Sequence, residues 1–240
     1  QISRDEKGEL TGELFDNALG LVELPVRPVT VEDVITTQRV LNSYGITSVR
    51  VIGGYKTDTA TAYKLFSDVR DAGNLTVRYN VFLRAGDRKI KTADDYVANI
   101  EASGLKQDQV DEWVRVGGIK LIVDGGFEGG HYYEPYLEPY GQGGTYRGFV
   151  VTAPPLFNEI VDKLNAKGWV IATHAVGDAA IDQVLEAYER TNAKKSIVGK
   201  LWAIEHAFIS NHAQMQRVKK LGLFLSVQDH LLLAGPAFKK

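Results

Sequence analysis

Four of the five histidines in this chain stand where a short apolar run ends. His174 closes the run that starts at Trp169, and His206 closes the run that starts at Leu201. His230 follows Leu223–Gln228, and His131 lies in the long loop after Ile119–Val123. His212 stands at a predicted helix start and reads as a surface residue. A lone strand-end histidine is commonly a hydrogen-bonded core residue. Two histidines that close consecutive parallel strands project to one rim, within reach of one ion. Neutral imidazole is a favoured ligand for zinc and its first-row neighbours. His174 and His206 are therefore the candidate ligands of a shared divalent metal, with zinc the first choice.

Lys120 is the second unusual residue. Lys120, Ile122 and Asp124 share one face of a strand, Leu121 and Val123 the other. A strand covered on both sides buries Lys120 either way, and a buried ammonium is costly unless paired or neutral. One reading is an ion pair with Asp124 or Glu205. The other is a neutral amine that takes up carbon dioxide and becomes a carbamate able to bridge metals. Asp178 precedes the helix expected from Ala179 and reads as its N-cap. Gly53-Gly54 reads as a plain turn rather than a phosphate loop, and no GxSxG, P-loop or GxGxxG is present.

These residues need a frame that brings strand ends together. Six apolar, β-branched runs begin at Ile46, Leu75, Ile119, Trp169, Leu201 and Leu223. Helical spacing is visible over Val31–Tyr44, Thr59–Ala72, Leu156–Ala166, Ala179–Thr191 and Asn211–Leu221. Gly45, Gly73, Gly168 and Gly222 fall where a helix stops before the next strand. Parallel strands alternating with helices make an α/β fold, either a barrel or a doubly wound sheet. In both, chemistry gathers at the carboxyl ends of the strands. The gaps after Leu75 and Ile119 exceed the ~30 residues of a barrel βα unit. The clearer insertion is Gly125–Gly148, rich in glycine and tyrosine. It is either a packed surface excursion or a pocket wall in which His131 or Tyr133 faces the substrate.

Composition narrows the function class. Lys and Arg total 28 against 30 Asp and Glu, a net charge of −2, so nothing points to a nucleic-acid partner or an anionic membrane. The absence of cysteine removes disulfides, thiolate zinc sites and a thiol nucleophile. The N-terminal residues are polar and no apolar run is long enough to cross a membrane, which makes the cytoplasm the expected location. No linker is visible, so residues 1–240 read as one domain.

Taken in order, five motifs resemble the amidohydrolase superfamily. They are Gly45-Ile46-Thr47-Ser48-Val49, Ile119-Lys120-Leu121 with Asp124-Gly125, and Thr173-His174-Ala175-Val176-Gly177-Asp178-Ala179-Ala180. Ile204-Glu205-His206-Ala207 and Ser226-Val227-Gln228 complete the set. The branch resembled is that of N-substituted formamide deformylases and related metal-dependent hydrolases. The resemblance implies a (β/α)8 TIM-barrel metal-dependent hydrolase, here about six βα units corresponding to the family's strands 2 to 7. It implies His174 and His206 as the family's fifth- and sixth-strand metal ligands, and Lys120 as its fourth-strand lysine carbamate. Gln228 and His230 fall on the seventh-strand rim, where the family contacts substrate, though Asp229 stands where a proline is common. The implied reaction is hydrolysis of a carbon–nitrogen bond, other than a peptide bond, in a small amide-type substrate by metal-activated water. The first-strand HxH pair and the eighth-strand aspartate of the family have no counterpart in this sequence. The chain therefore reads as the central part of such an enzyme. The alternative is a barrel-derived binding module without a full metal site. A homo-oligomer is left open.

Overall fold

The structure, a computed structural model, describes residues 2–5, 7–14, 18, 21–22, 27–52, 59–84, 90–138 and 140–228. His230, Asp229 and Gly53-Gly54 lie outside the described residues. The chain divides into two units, residues 1–30 and 31–240. In the first, strands β1 (Ile2–Arg4) and β2 (Leu10–Leu14) pair antiparallel. Asp5 shapes their turn by accepting the backbone N–H groups of Lys7 and Glu9, each at 2.9 Å.

The second unit alternates helix and strand: α1 (Val31–Ser43), β3 (Ser48–Ile52), α2 (Thr59–Asp71), β4 (Arg78–Leu83), α3 (Ala93–Ala102), β5 (Val114–Ile122), α4 (Pro154–Ala166), β6 (Ile171–Ala175), α5 (Asp178–Lys194), β7 (Ala203–His206), α6 (His212–Leu221) and β8 (Phe224–Ser226). All six strands from β3 to β8 are parallel and pair in sequence order. They form a six-stranded arc of a TIM barrel, the incomplete barrel that the family resemblance implies.

Two expectations change. The gap after Leu75 is no loop insertion: it carries α3, which starts at the Thr92 cap, where the threonine hydroxyl accepts the Asp95 N–H. β5 also begins five residues before the predicted Ile119, because Gly117-Gly118 belongs to the strand instead of preceding it. There the register shifts: Val81 pairs with Val116, but Phe82 pairs with Gly118, leaving Gly117 as the extra residue of a bulge. A Cβ on Gly117 would stand 1.9 Å from Asn80 Oδ1 and 2.7 Å from the Phe82 ring, so a larger residue there would have to push both side chains aside.

The sheet has two differently furnished faces. On the helix side, Val116, Ile119, Leu121, Val123, Ile171 and Ile204 join Phe157, Val161, Leu185, Tyr188 and Trp202 in the main core. A smaller core under α1 and α2 holds Val34, Val69, Val77, Tyr79 and Val81. On the concave face, Phe82, Ala172 and Ala203 form a thin apolar floor. Small residues there leave room above the strand ends. Among the described residues, no helix is long and apolar enough to cross a membrane.

Candidate metal centre

β6 and β7 lie side by side and deliver His174 and His206 to one rim, with ring centroids 4.5 Å apart and planes at 71°. Each ring has one nitrogen engaged. His174 Nε2 lies 2.9 Å from the carbonyl oxygen of Gly125. A carbonyl only accepts, so Nε2 carries the hydrogen and Nδ1 keeps its lone pair. His206 Nδ1 lies 2.7 Å from Gln228 Oε1, which leaves the lone pair on Nε2. Partners of this kind fix tautomer and ring direction in metal-ligating histidines. Burial disfavours the imidazolium in both: it pushes His174 down to about 4 and holds His206 below the usual histidine value. Both rings are thus neutral near pH 7, the form that binds metal.

The backbone turns sharply to present His206. His206 and Ala207 have φ of +77° and +47°, left-handed values that non-glycine residues adopt at a cost of about 1 kcal/mol or more each. The Ala207 N–H donates to the Ala175 and Glu205 carbonyls at 3.0 and 3.1 Å, which holds the turn.

Lys120 is 5% exposed and sits on the concave face, opposite Ile119 and Leu121. Desolvation is the main force on its ammonium and lowers it to about 8; Glu205 opposes that shift, while Arg50 and Arg84 add to it. Glu205 pairs not with Lys120 but with Arg50, whose Nη1 is 2.7 Å from Glu205 Oε1 and whose guanidinium lies 4.3 Å over the Phe82 ring. Asp124 is not a partner of Lys120 either. β5 ends at Ile122, so strand alternation no longer governs residue 124, and its carboxylate turns to the backbone N–H groups of His131, Val176 and Gly177. Neither predicted ion pair of Lys120 is present.

The loop 125–148 lies on the same rim as His174, through the Gly125 contact. Tyr133 faces away from the histidines: its hydroxyl donates to Asp182 Oδ2 at 3.0 Å and its N–H to Asp178 Oδ1 at 3.0 Å. His131 acts through its backbone, whose N–H meets Asp124 and whose carbonyl accepts the Ala180 N–H at 3.2 Å; its Nδ1 is buried without a partner among the described residues. Gly177, not Asp178, is the N-cap of α5, and Asp178 is the first helical residue. Beside His206 an open pocket is lined by Phe127, Tyr132, Phe208, Ile209, Val227 and Gln228. The Phe127 and Phe208 rings stack at 4.8 Å. Arg50, Phe208 and the anchoring role of Asp124 escape a reading by motif. An arginine inside the apolar run Ile46–Ile52 is the trace that Arg50 leaves in the sequence.

Among the described residues, no group of three His, Cys, Asp or Glu side chains is placed to hold a metal. The donor set still suits a divalent ion such as zinc in part: two neutral imidazoles with open lone pairs, beside a buried lysine near neutrality. Catalytic zinc sites use three protein ligands, one more than this pair of imidazoles provides.

The chain is similar to several known proteins. The chain is 28% identical to Protein LONG AFTER FAR-RED 3 of Arabidopsis thaliana over 96% of its length and 40% of that protein's. It is 30% identical to N-substituted formamide deformylase of Arthrobacter pascens over 47% of the chain and 20% of that enzyme. The chain thus spans well under half the length of these curated relatives. The fold matches an uncharacterized metal-dependent hydrolase from Pyrococcus furiosus with a TM-score of 0.66 at 24% identity, over 87% of this chain and 40% of that one. A sequence profile of the amidohydrolase family matches residues 1–238, and the chain belongs to that family.

Proposed function

We propose that the chain supplies part of the metal centre of a hydrolase that cleaves a carbon–nitrogen bond, other than a peptide bond, in a small amide-type molecule. The observation that carries this reading is the His174–His206 pair, with rings 4.5 Å apart and one engaged nitrogen on each. His174 and His206 would hold a divalent ion, zinc by preference, with Lys120 as the third ligand after carboxylation. When bound, such an ion supplies a water activated near neutral pH and a polarised carbonyl.

The chain's own residues prepare for this. The Gly125 carbonyl and Gln228 hold the ring hydrogens on His174 Nε2 and His206 Nδ1, so His174 Nδ1 and His206 Nε2 would be the nitrogens free to hold an ion. At about pH 8 a large fraction of Lys120 is the free amine. Its nitrogen lone pair adds to the carbon of carbon dioxide, giving an N-carboxylate, and the displaced proton leaves to solvent. Phe127 and Phe208 give the open pocket beside His206 an apolar wall. The aspartate that the family resemblance places on the eighth strand is outside the residues assigned here.

Metal analysis tests the reading. Purified protein equilibrated with zinc, manganese or iron is expected to retain metal, and His174→Ala and His206→Ala to lose it. With labelled bicarbonate, a carbamate carbon signal is expected that Lys120→Ala removes. No uptake of any metal by the unaltered protein would overturn the reading and leave a non-catalytic binding module.

A further inference from the structure

We propose that Asp124 is a positioning residue for this centre: its carboxylate locks the loop 125–131 and the β6–α5 turn together, and so fixes the direction and tautomer of the His174 ring. The inference rests on reading His174 as a metal ligand.

Asp124 is 1% exposed and follows the end of β5. Oδ2 accepts the N–H of His131 at 2.9 Å, of Gly177 at 2.9 Å and of Val176 at 3.2 Å, and Oδ1 accepts the same Val176 N–H at 3.1 Å. No lysine or arginine pairs with it among the described residues; its one ionisable neighbour within ion-pair range is His174, with Nε2 3.5 Å from Oδ1. A buried carboxylate without a cation is costly, and charge-assisted N–H bonds offset that cost. The donors come from two separate segments, so the carboxylate works as a clasp between them.

The clasp governs His174 in two ways. The Asp124–His131 bond closes the loop 125–131, and within it the Gly125 N–H donates to the Gly129 carbonyl at 3.1 Å, so the segment is braced where the Gly125 carbonyl takes the Nε2 hydrogen at 2.9 Å. The negative charge of Oδ1 near the same nitrogen favours the hydrogen there as well. Both leave the lone pair on Nδ1. The room for the clasp comes from Gly177, where a Cβ would meet the His131 carbonyl oxygen at 1.9 Å.

Nitrogen-15 NMR of histidine-labelled, metal-free protein tests this. The unaltered chain is expected to show His174 with hydrogen on Nε2. Asp124→Asn keeps the shape but turns one oxygen into a donor that meets the backbone N–H groups. It is expected to mix or reverse the His174 tautomer while His206, anchored on Gln228, keeps its own. Zinc affinity is expected to fall roughly 10–100-fold, as for other residues that orient a ligand. An unchanged His174 tautomer with unchanged zinc affinity in Asp124→Asn overturns the proposal. If that variant does not fold, the unaltered protein decides alone, because His174 with hydrogen on Nδ1 overturns it equally. Failure of the unaltered protein to take up zinc would remove the metal-centre reading while leaving the tautomer result standing, so the two failures are distinguishable.

Discussion

His174 and His206 close adjacent strands on one rim, yet they are secured by different means. Around His174 the partners are mostly backbone: the Gly125 carbonyl, the Val176 and Gly177 N–H groups on Asp124, and the His131 N–H. Around His206 the recorded ring hydrogen bond is to one side chain, Gln228, just past the last strand. The turn that presents His206 runs through two left-handed residues, whereas the β6–α5 turn holds Gly177 at an ordinary φ of −79°. A ring held by backbone shares its fate with the fold. A ring held by one side chain can be loosened while the fold stands.

Three measurements can break or sharpen that contrast. The largest effect is expected from Gly177→Ala. The new methyl would collide with the His131 carbonyl oxygen and carbon at 1.9 and 2.3 Å, and backbone cannot swing aside as a side chain can. A loss of about 3 kcal/mol is expected by denaturant unfolding, at the upper end for overpacking. An unchanged midpoint would show that the His174 side is not locked. Gln228→Ala comes next: zinc affinity should fall roughly 10–100-fold with stability changed by less than about 0.5 kcal/mol. A stability loss as large as that of Gly177→Ala would erase the contrast. The smallest effect is a titration. Burial opposes charging of His174, so its NMR midpoint in metal-free protein is expected near pH 4, with His206 also below the free-histidine value of about 6.5. Protonation removes the lone pair, so metal retention should persist as pH falls below 6.5. A His174 midpoint at 6.5 or above would sink this expectation.

Much of the frame was legible because the strands are short, apolar and stopped by glycines. Gly45, Gly73, Gly168 and Gly222 all adopt the positive φ that their helix-ending positions predict. The histidine pair was legible because two strand ends in consecutive units must share a rim. What escaped depends on non-local geometry. α3 is the exception, with a local signal in the Thr92 cap and the buried stripe Ala93, Tyr96, Val97 and Ile100, but it is only ten residues long and the stripe covers barely two turns. The partner of Glu205 could not be read because Arg50 lies four strands away along the sheet, in β3. Asp124 looked like a strand residue facing Lys120, whereas the strand had already ended. Tyr133 was visible as an aromatic loop residue, but its attachment to α5 required knowing where Asp182 comes round.

The bulge at Gly117 carries a consequence for how such a chain can change over time. Val116 and Ile119 both face the helices, although three positions separate them and strict alternation would send them to opposite sides. The extra residue restores the count, and that count puts Lys120 on the concave face and Leu121 on the other. Exchange of one apolar neighbour for another preserves it. Loss of a single codon at Gly117 does not: it would carry Lys120 into the helix layer and present Leu121 to the site. The arithmetic of insertion and deletion, more than the identity of any one neighbour, therefore guards this lysine's place in the lineage.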